Sequence, residues 1–134
     1  EYKDRTIQFM KEEQWIHSIC DEPQAGEGSI PTILEPTHEK TIIRFHGRNV
    51  HGWNKNGREN WRAVRFLYRY NEQELLEWVS HIRQLQQETK DIVILFNNNS
   101  GGDAAHNAKQ LMQLLNIEYS GLNPRQLDLF EGEF

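Results

Sequence analysis

Two short runs constrain this chain most: Thr41-Ile42-Ile43-Arg44-Phe45-His46 and Asp91-Ile92-Val93-Ile94-Leu95-Phe96. Both are rich in β-branched residues and nearly continuous in hydrophobicity rather than alternating. That combination marks strands covered on both faces, the signature of a parallel sheet flanked by helices. A third run, Trp15-Ile16-His17-Ser18-Ile19-Cys20, reads as another strand and ends at Asp21-Glu22-Pro23.

Helical patterns fill the intervals. Residues 72–89 place Leu75, Leu76, Val79, Ile82 and Leu85 on one face. Residues 103–116 do the same with Ala104, Ala108, Leu111, Met112 and Leu115, and Asp103 reads as the N-cap. Residues 3–13 suggest a further helix, and Asn123-Pro124 the start of a small one. Strands alternating with helices give an α/β fold of about three parallel strands with covering helices. The segment 21–40, with Gly26, Gly28, Pro31 and Pro36, is expected to be irregular. The loop 47–70 is long, basic and aromatic, and carries Trp53, Trp61, Phe66, Tyr68 and Tyr70. Structured loops of that length are often functional.

At 134 residues, the chain is long enough for one domain with a real core. A net charge of −5 argues against a broad nucleic-acid footprint, so nucleic acid is an unfavoured partner. The charge is uneven, though: acidic groups gather towards the ends, and the stretch from Arg44 to Arg69 is basic. Cys20 is the one cysteine, which suits a reducing, cytoplasmic setting. No apolar run is long enough for a membrane span, and the first residues lack a signal peptide's apolar core. No membrane partner is expected.

Each strand run ends in polar chemistry: Asp21 and Glu22 after the first, Arg44, His46, Arg48 and Asn49 at the second, Asn97 and Asn98 after the third. In parallel α/β folds, ligand sites form at the carboxyl ends of several strands together. Residues two apart on a strand share a face, so Arg44 and His46 point one way and Phe45 the other, towards the helices. By the same rule Asp21 and Glu22 face opposite sides, as do Asn97 and Asn98. A paired-carboxylate glycosidase site is therefore disfavoured within 21–22.

The stretches "DEP", "RFHGRN" with a following "GW", "RYNEQELLEW" and "FNNNSGGDAAHNAKQL", in that order, resemble the YecE-like family, known as domain of unknown function 72. The resemblance runs from about Ile16 to Phe130. It implies a TIM-type (β/α) barrel with no firmly established activity. It carries the family's polar positions onto Asp21, Glu22, Arg44, His46, Arg48, Asn49, Tyr70, Asn97 and Asn98. A TIM-type barrel takes about 250 residues. The chain thus looks like a partial barrel: a single domain over 1–134 that corresponds to the carboxyl-terminal half and is incomplete alone. Self-association, or association with the amino-terminal half, is the expected remedy for its open edges.

Arg44 and Arg48 can clamp a carboxylate or phosphate, and His46 can act as general acid or base near neutral pH. Against this stands a purely structural Arg44, paired with Asp21 or Glu22. Asp21 or Glu22 would orient His46 or serve as base, with Asn49, Tyr70, Asn97 and Asn98 around the ligand. A metal held by Asp21 or Glu22 with His46 and His51 is a weaker alternative, because no zinc-type spacing is present. A Cys20 nucleophile beside His46 is weaker still, since a strand cysteine is more often inert packing. P-loop and Rossmann patterns are absent, and a turn through Ser100-Gly101-Gly102 reads as a plain helix cap, so no cofactor is expected. The reading is an enzyme, or former enzyme, binding a small anionic ligand, phosphorylated ligands included. The alternative is a non-catalytic module whose loop 47–70, with Trp53, Trp61, Arg58, Arg62 and Arg65, contacts nucleic acid or protein.

Overall fold

The computed structural model describes residues 2–54, 59–98 and 101–118. In chain order the elements are α1 (Tyr2–Glu12), β1 (Ser18–Asp21), β2 (Lys40–Phe45), α2 (Val50–Trp53), α3 (Trp61–Arg65), α4 (Glu72–Leu85), β3 (Asp91–Phe96) and α5 (Asp103–Leu114). The strands form one parallel sheet in the order β1-β2-β3, as the alternation of elements predicts. Cys20 stands beside Arg44, and Arg44 beside Leu95. β1 starts and ends later than its apolar run suggests, because Trp15 and Ile16 lie outside the ladder.

Local chemistry accounts for α4. Asn71 accepts from the Glu74 backbone N–H, and the Glu74 side chain accepts from the Asn71 N–H. This reciprocal capping box satisfies two of the donors that a helix start leaves bare. The helix buries Leu75, Trp78, Val79, Ile82 and Leu85, one stripe at helical spacing, whereas Leu76 stays 42% exposed. At α5 the cap position belongs to Gly102 (φ 81), and Asp103 is the first helical residue. The left-handed conformation at that position is costly for any residue with a Cβ.

Among the described residues, α4 and α5 cover one side of the sheet. Ile19, Ile43 and Phe45 pack against the α4 stripe and Leu111 of α5, with Ile92, Ile94 and Phe96 closing the layer. On the other side, Val93 and Leu95 are 51% and 45% exposed. The continuous hydrophobicity of the strands therefore finds a cover on one face among the described residues. The segment between β1 and β2 is irregular, as expected, while 47–70 contains the two short helices α2 and α3. Arg58, Ser100 and the expected helix at Asn123-Pro124 lie outside the described residues.

Candidate functional site at the strand ends

The ladder continues one residue past the strands: the His46 N–H donates to Asp21 O at 2.8 Å, and the Asn97 N–H to Phe45 O at 2.7 Å. Side chains alternate between faces along this extension. Glu22, His46 and Asn97 thus form a row on the uncovered face, with Cys20, Arg44 and Leu95 one row below. Asp21 and Phe45 sit on the helix side and are buried. The residues singled out in the sequence fall into two groups, one on each side of the sheet.

On the helix side, Asp21 is 2% exposed and surrounded by donors. The Arg48 guanidinium donates from Nε at 2.9 Å to Oδ1 and from Nη2 at 2.6 Å to Oδ2. The Trp78 indole N–H and the Tyr70 hydroxyl also donate to it. A buried carboxylate is tolerable only when its lone pairs are filled in this way. The same hydrogen bonds raise the Arg48 pKa, working against its partial burial. Arg48 further reaches Glu74 at 3.5 Å and Glu77 at 3.6 Å. Burial, and then the hydrogen bond to Glu74, push Tyr68 up to about 12. Burial likewise pushes Tyr70 upward, with the Asp21 charge adding to it.

Amide side chains fasten the chain that follows. Asn107 is fully buried on α5, where its Oδ1 accepts from the Tyr70 N–H at 3.0 Å and its Nδ2 donates to Tyr70 O at 2.9 Å. Asn98 donates to that same Oδ1 and to Tyr68 O, both at 2.9 Å. Asn49 caps α2 by accepting from the Gly52 N–H and donates to Val64 O and Leu67 O, so its amide is spent on the loop. Tyr70 Oη accepts from the Gly47 N–H at 2.9 Å. Gly47 has φ 84, and a Cβ there would lie 2.6 Å from Tyr68 Cβ, so the sharp exit from β2 requires glycine.

The uncovered face is different. Arg44 Nε, His46 Nδ1 and Asn97 Oδ1 are buried and have no hydrogen-bond partner among the described residues. The structural pairing anticipated for Arg44 is made by Arg48 instead. The loop 47–70 folds back over this end: His46 lies 5.8 Å from the Phe66 ring and 6.4 Å from Trp53. Arg65 of α3 stacks on Trp53 at 3.9 Å from its centroid, and Arg65 Nε is also buried without a partner. Burial lowers the His46 pKa; Arg44 and Arg65 lower it further, and Asp21 opposes them weakly. His46 thus feels the positive charge of both Arg44 and Arg65, neither of which forms an ion pair among the described residues.

Glu22 borders the available space. One cleft of about 470 Å3 is lined by Asp21, Glu22, Pro23, Arg48 and Glu77. Another of about 430 Å3 lies between Glu22, the 25–29 loop and Trp53. For the metal alternative, Asp21 lies on the face opposite His46, which leaves Glu22 as the one acid of that pair beside the imidazole. No group of three or more metal-ligating side chains exists among the described residues. The sequence points to Arg65 only as part of the basic loop, and spacing gives no sign that it would lie near His46. Asn107 and Trp78 carried a signal: Asn107 interrupts the apolar face of α5, and Trp78 lies on the stripe of α4.

A family described as "Protein of unknown function DUF72" matches residues 1–128. The UPF0759 protein YunF of Bacillus subtilis (strain 168) is 64% identical over 131 residues, covering 96% of this chain and 46% of the relative. A crystal structure of a DUF72 family protein from Enterococcus faecalis V583 superposes with a TM-score of 0.83 at 44% identity, covering 93% of this chain and 46% of that one. A Thermotoga maritima MSB8 family member gives 0.74 at 29% identity, covering 84% and 41%. The chain therefore spans about half the length of the relatives it matches. No helix among the described residues is long and apolar enough to cross a membrane.

Proposed function

The chain belongs to the DUF72 family, and we propose that it is one part of a TIM-type barrel whose strand ends take up a small anionic ligand, phosphorylated ligands included. The observation carrying this reading is the pair of buried, unpartnered nitrogens at Arg44 Nε and His46 Nδ1 on the uncovered face. Leaving such a group without a partner costs about 1–3 kcal/mol, which an anion bound there would recover. Arg44 supplies charge, His46 moves a proton, Glu22 provides the carboxylate of the same row, and Asn97 orients the ligand. Arg48 and Asp21 neutralise each other instead and hold the strand end to α4.

The association half of the reading rests on the exposed Val93 and Leu95 and on the length of the relatives. A barrel encloses that face. The remainder of a polypeptide of the relatives' length, or a second copy of this chain, would cover it.

Titration of the purified chain with phosphate and small carboxylates tests the site. Arg44→Ala is expected to weaken binding about ten- to a hundredfold, the worth of a charge-assisted hydrogen bond. Unchanged binding in that variant overturns the reading. The competing module reading places recognition on the outside of loop 47–70. It predicts the reverse, with loss in Trp53→Ala and none in Arg44→Ala.

A further inference from the structure

Resting on that reading, we propose that Arg65 is a third arm of the site and makes it selective for a dianionic group, a phosphomonoester in chemical class, over a monocarboxylate. Nothing in the strand pattern assigns Arg65 this place. It arrives because α3 folds over the end of β2. Three observations converge on it.

The first is charge. Neither Arg44 nor Arg65 forms an ion pair among the described residues, whereas Arg48 is matched by Asp21, Glu74 and Glu77. The one acid that acts on His46 from the opposite face is Asp21, which Arg48 already neutralises. Two guanidinium charges thus stand at this end of the sheet against the single carboxylate of Glu22, and the positive charge left over favours the more highly charged anion.

The second is desolvation. Arg65 Nε and Arg44 Nε are both buried and have no hydrogen-bond partner among the described residues. A guanidinium presents several donors in a rigid fork that matches the oxygens of phosphate, and two such forks from different elements suit a tetrahedral group better than a planar carboxylate.

The third is orientation. The Arg65 guanidinium rests on Trp53 at 3.9 Å, with Trp61 at 5.2 Å and Phe66 at 5.3 Å. This aromatic seat fixes the head group before any ligand arrives, so less side-chain entropy is lost on binding. Asn49 supports the seat, since it holds α2 to the Val64 and Leu67 carbonyls that flank α3's end.

The test compares methyl phosphate with acetate on the purified chain, above about pH 7, where a phosphomonoester is largely dianionic. Isothermal titration is expected to give at least about tenfold tighter binding of methyl phosphate, the scale of one added charge-assisted contact. Arg65→Ala is expected to remove that preference while acetate still binds, and Arg65→Lys to restore part of it. The fluorescence of Trp53 and Trp61 and the melting profile report whether the loop stays folded. If Arg65→Ala disturbs it, Arg65→Gln replaces it, since it keeps a planar polar head over Trp53. Equal binding of both ligands by the wild type, or an intact preference in the folded Arg65 variants, overturns the dianion inference and leaves the anion site standing. Binding of neither ligand removes both.

Discussion

The Arg48 guanidinium grips the carboxylate of Asp21 through Nε at 2.9 Å and Nη2 at 2.6 Å, linking residues 27 apart in sequence, on the buried side of the sheet. The two partners differ in exposure: Asp21 is sealed, while about a third of Arg48 reaches solvent. Losing one partner therefore has unequal consequences. Arg48→Ala strands a buried carboxylate with only the Trp78 and Tyr70 donors and is expected to cost about 3–5 kcal/mol. Asp21→Ala frees an arginine that can rehydrate, but leaves the Trp78 N–H bare, and is expected to cost about 2–3 kcal/mol. Urea unfolding of both single variants and the double variant measures the coupling, and additive losses would dissolve the pair.

Asn107 satisfies both the N–H and the C=O of Tyr70 from inside the core. Asn107→Leu keeps the branched shape but strands these groups and takes from the Asn98 amide one of its two acceptors. A loss of about 2–4 kcal/mol is expected, with faster amide exchange at Tyr70. Exchange at Tyr70 equal to the wild type would show that the loop is held by other means.

Gly47→Ala asks a left-handed backbone to carry a Cβ that meets Tyr68. Conformational strain alone costs about 1–2 kcal/mol, and the clash raises the total to about 2–4 kcal/mol. A midpoint of chemical denaturation unchanged from wild type would contradict the assigned geometry.

His46 faces Arg44 from its own strand, Arg65 from α3 and Asp21 from β1, and its pKa is lowered in the folded chain. Below about pH 6.5 the unfolded chain takes up a proton that the folded chain refuses. Stability from this group is complete above that pH and declines as pH falls from about 6.5 through the lowered value. His46→Gln is expected to flatten that slope in pH-dependent melting. An anion seated beside the imidazole raises its pKa again, so acetate, which stays ionised through this window, should bind with proton uptake and more tightly as pH falls, whereas a phosphomonoester loses its second charge over the same range.

The uncovered sheet face gives a prediction about mass. Light scattering across concentrations is expected to show a dimer, or a stable complex once the rest of a relative-length polypeptide is supplied. Leu95→Glu should weaken either by placing a charge on the enclosed face. A well-folded monomer under all these conditions would remove the support for a completed barrel.

Much of this protein is written locally. Period-two alternation sends Arg44 away from Phe45, Asp21 away from Glu22 and Asn97 away from Asn98 whatever the rest of the chain does. Alternating strand and helix patterns lead to a parallel sheet, and the motifs from "DEP" to "FNNNSGGDAAHNAKQL" lead to the family. The reading that sends Phe45 towards the helices and Arg44 away from them holds in the fold. What periodicity leaves open is which of Asp21 and Glu22 joins the helix side, and the tertiary fold decided that, placing Asp21 among the helices. It also chose Arg48 rather than Arg44 as the partner of Asp21, and brought Arg65 to His46. These outcomes turn on desolvation and on contacts between residues far apart in the chain. A charge's worth is set by who else is buried beside it, and that is settled only when the layers close.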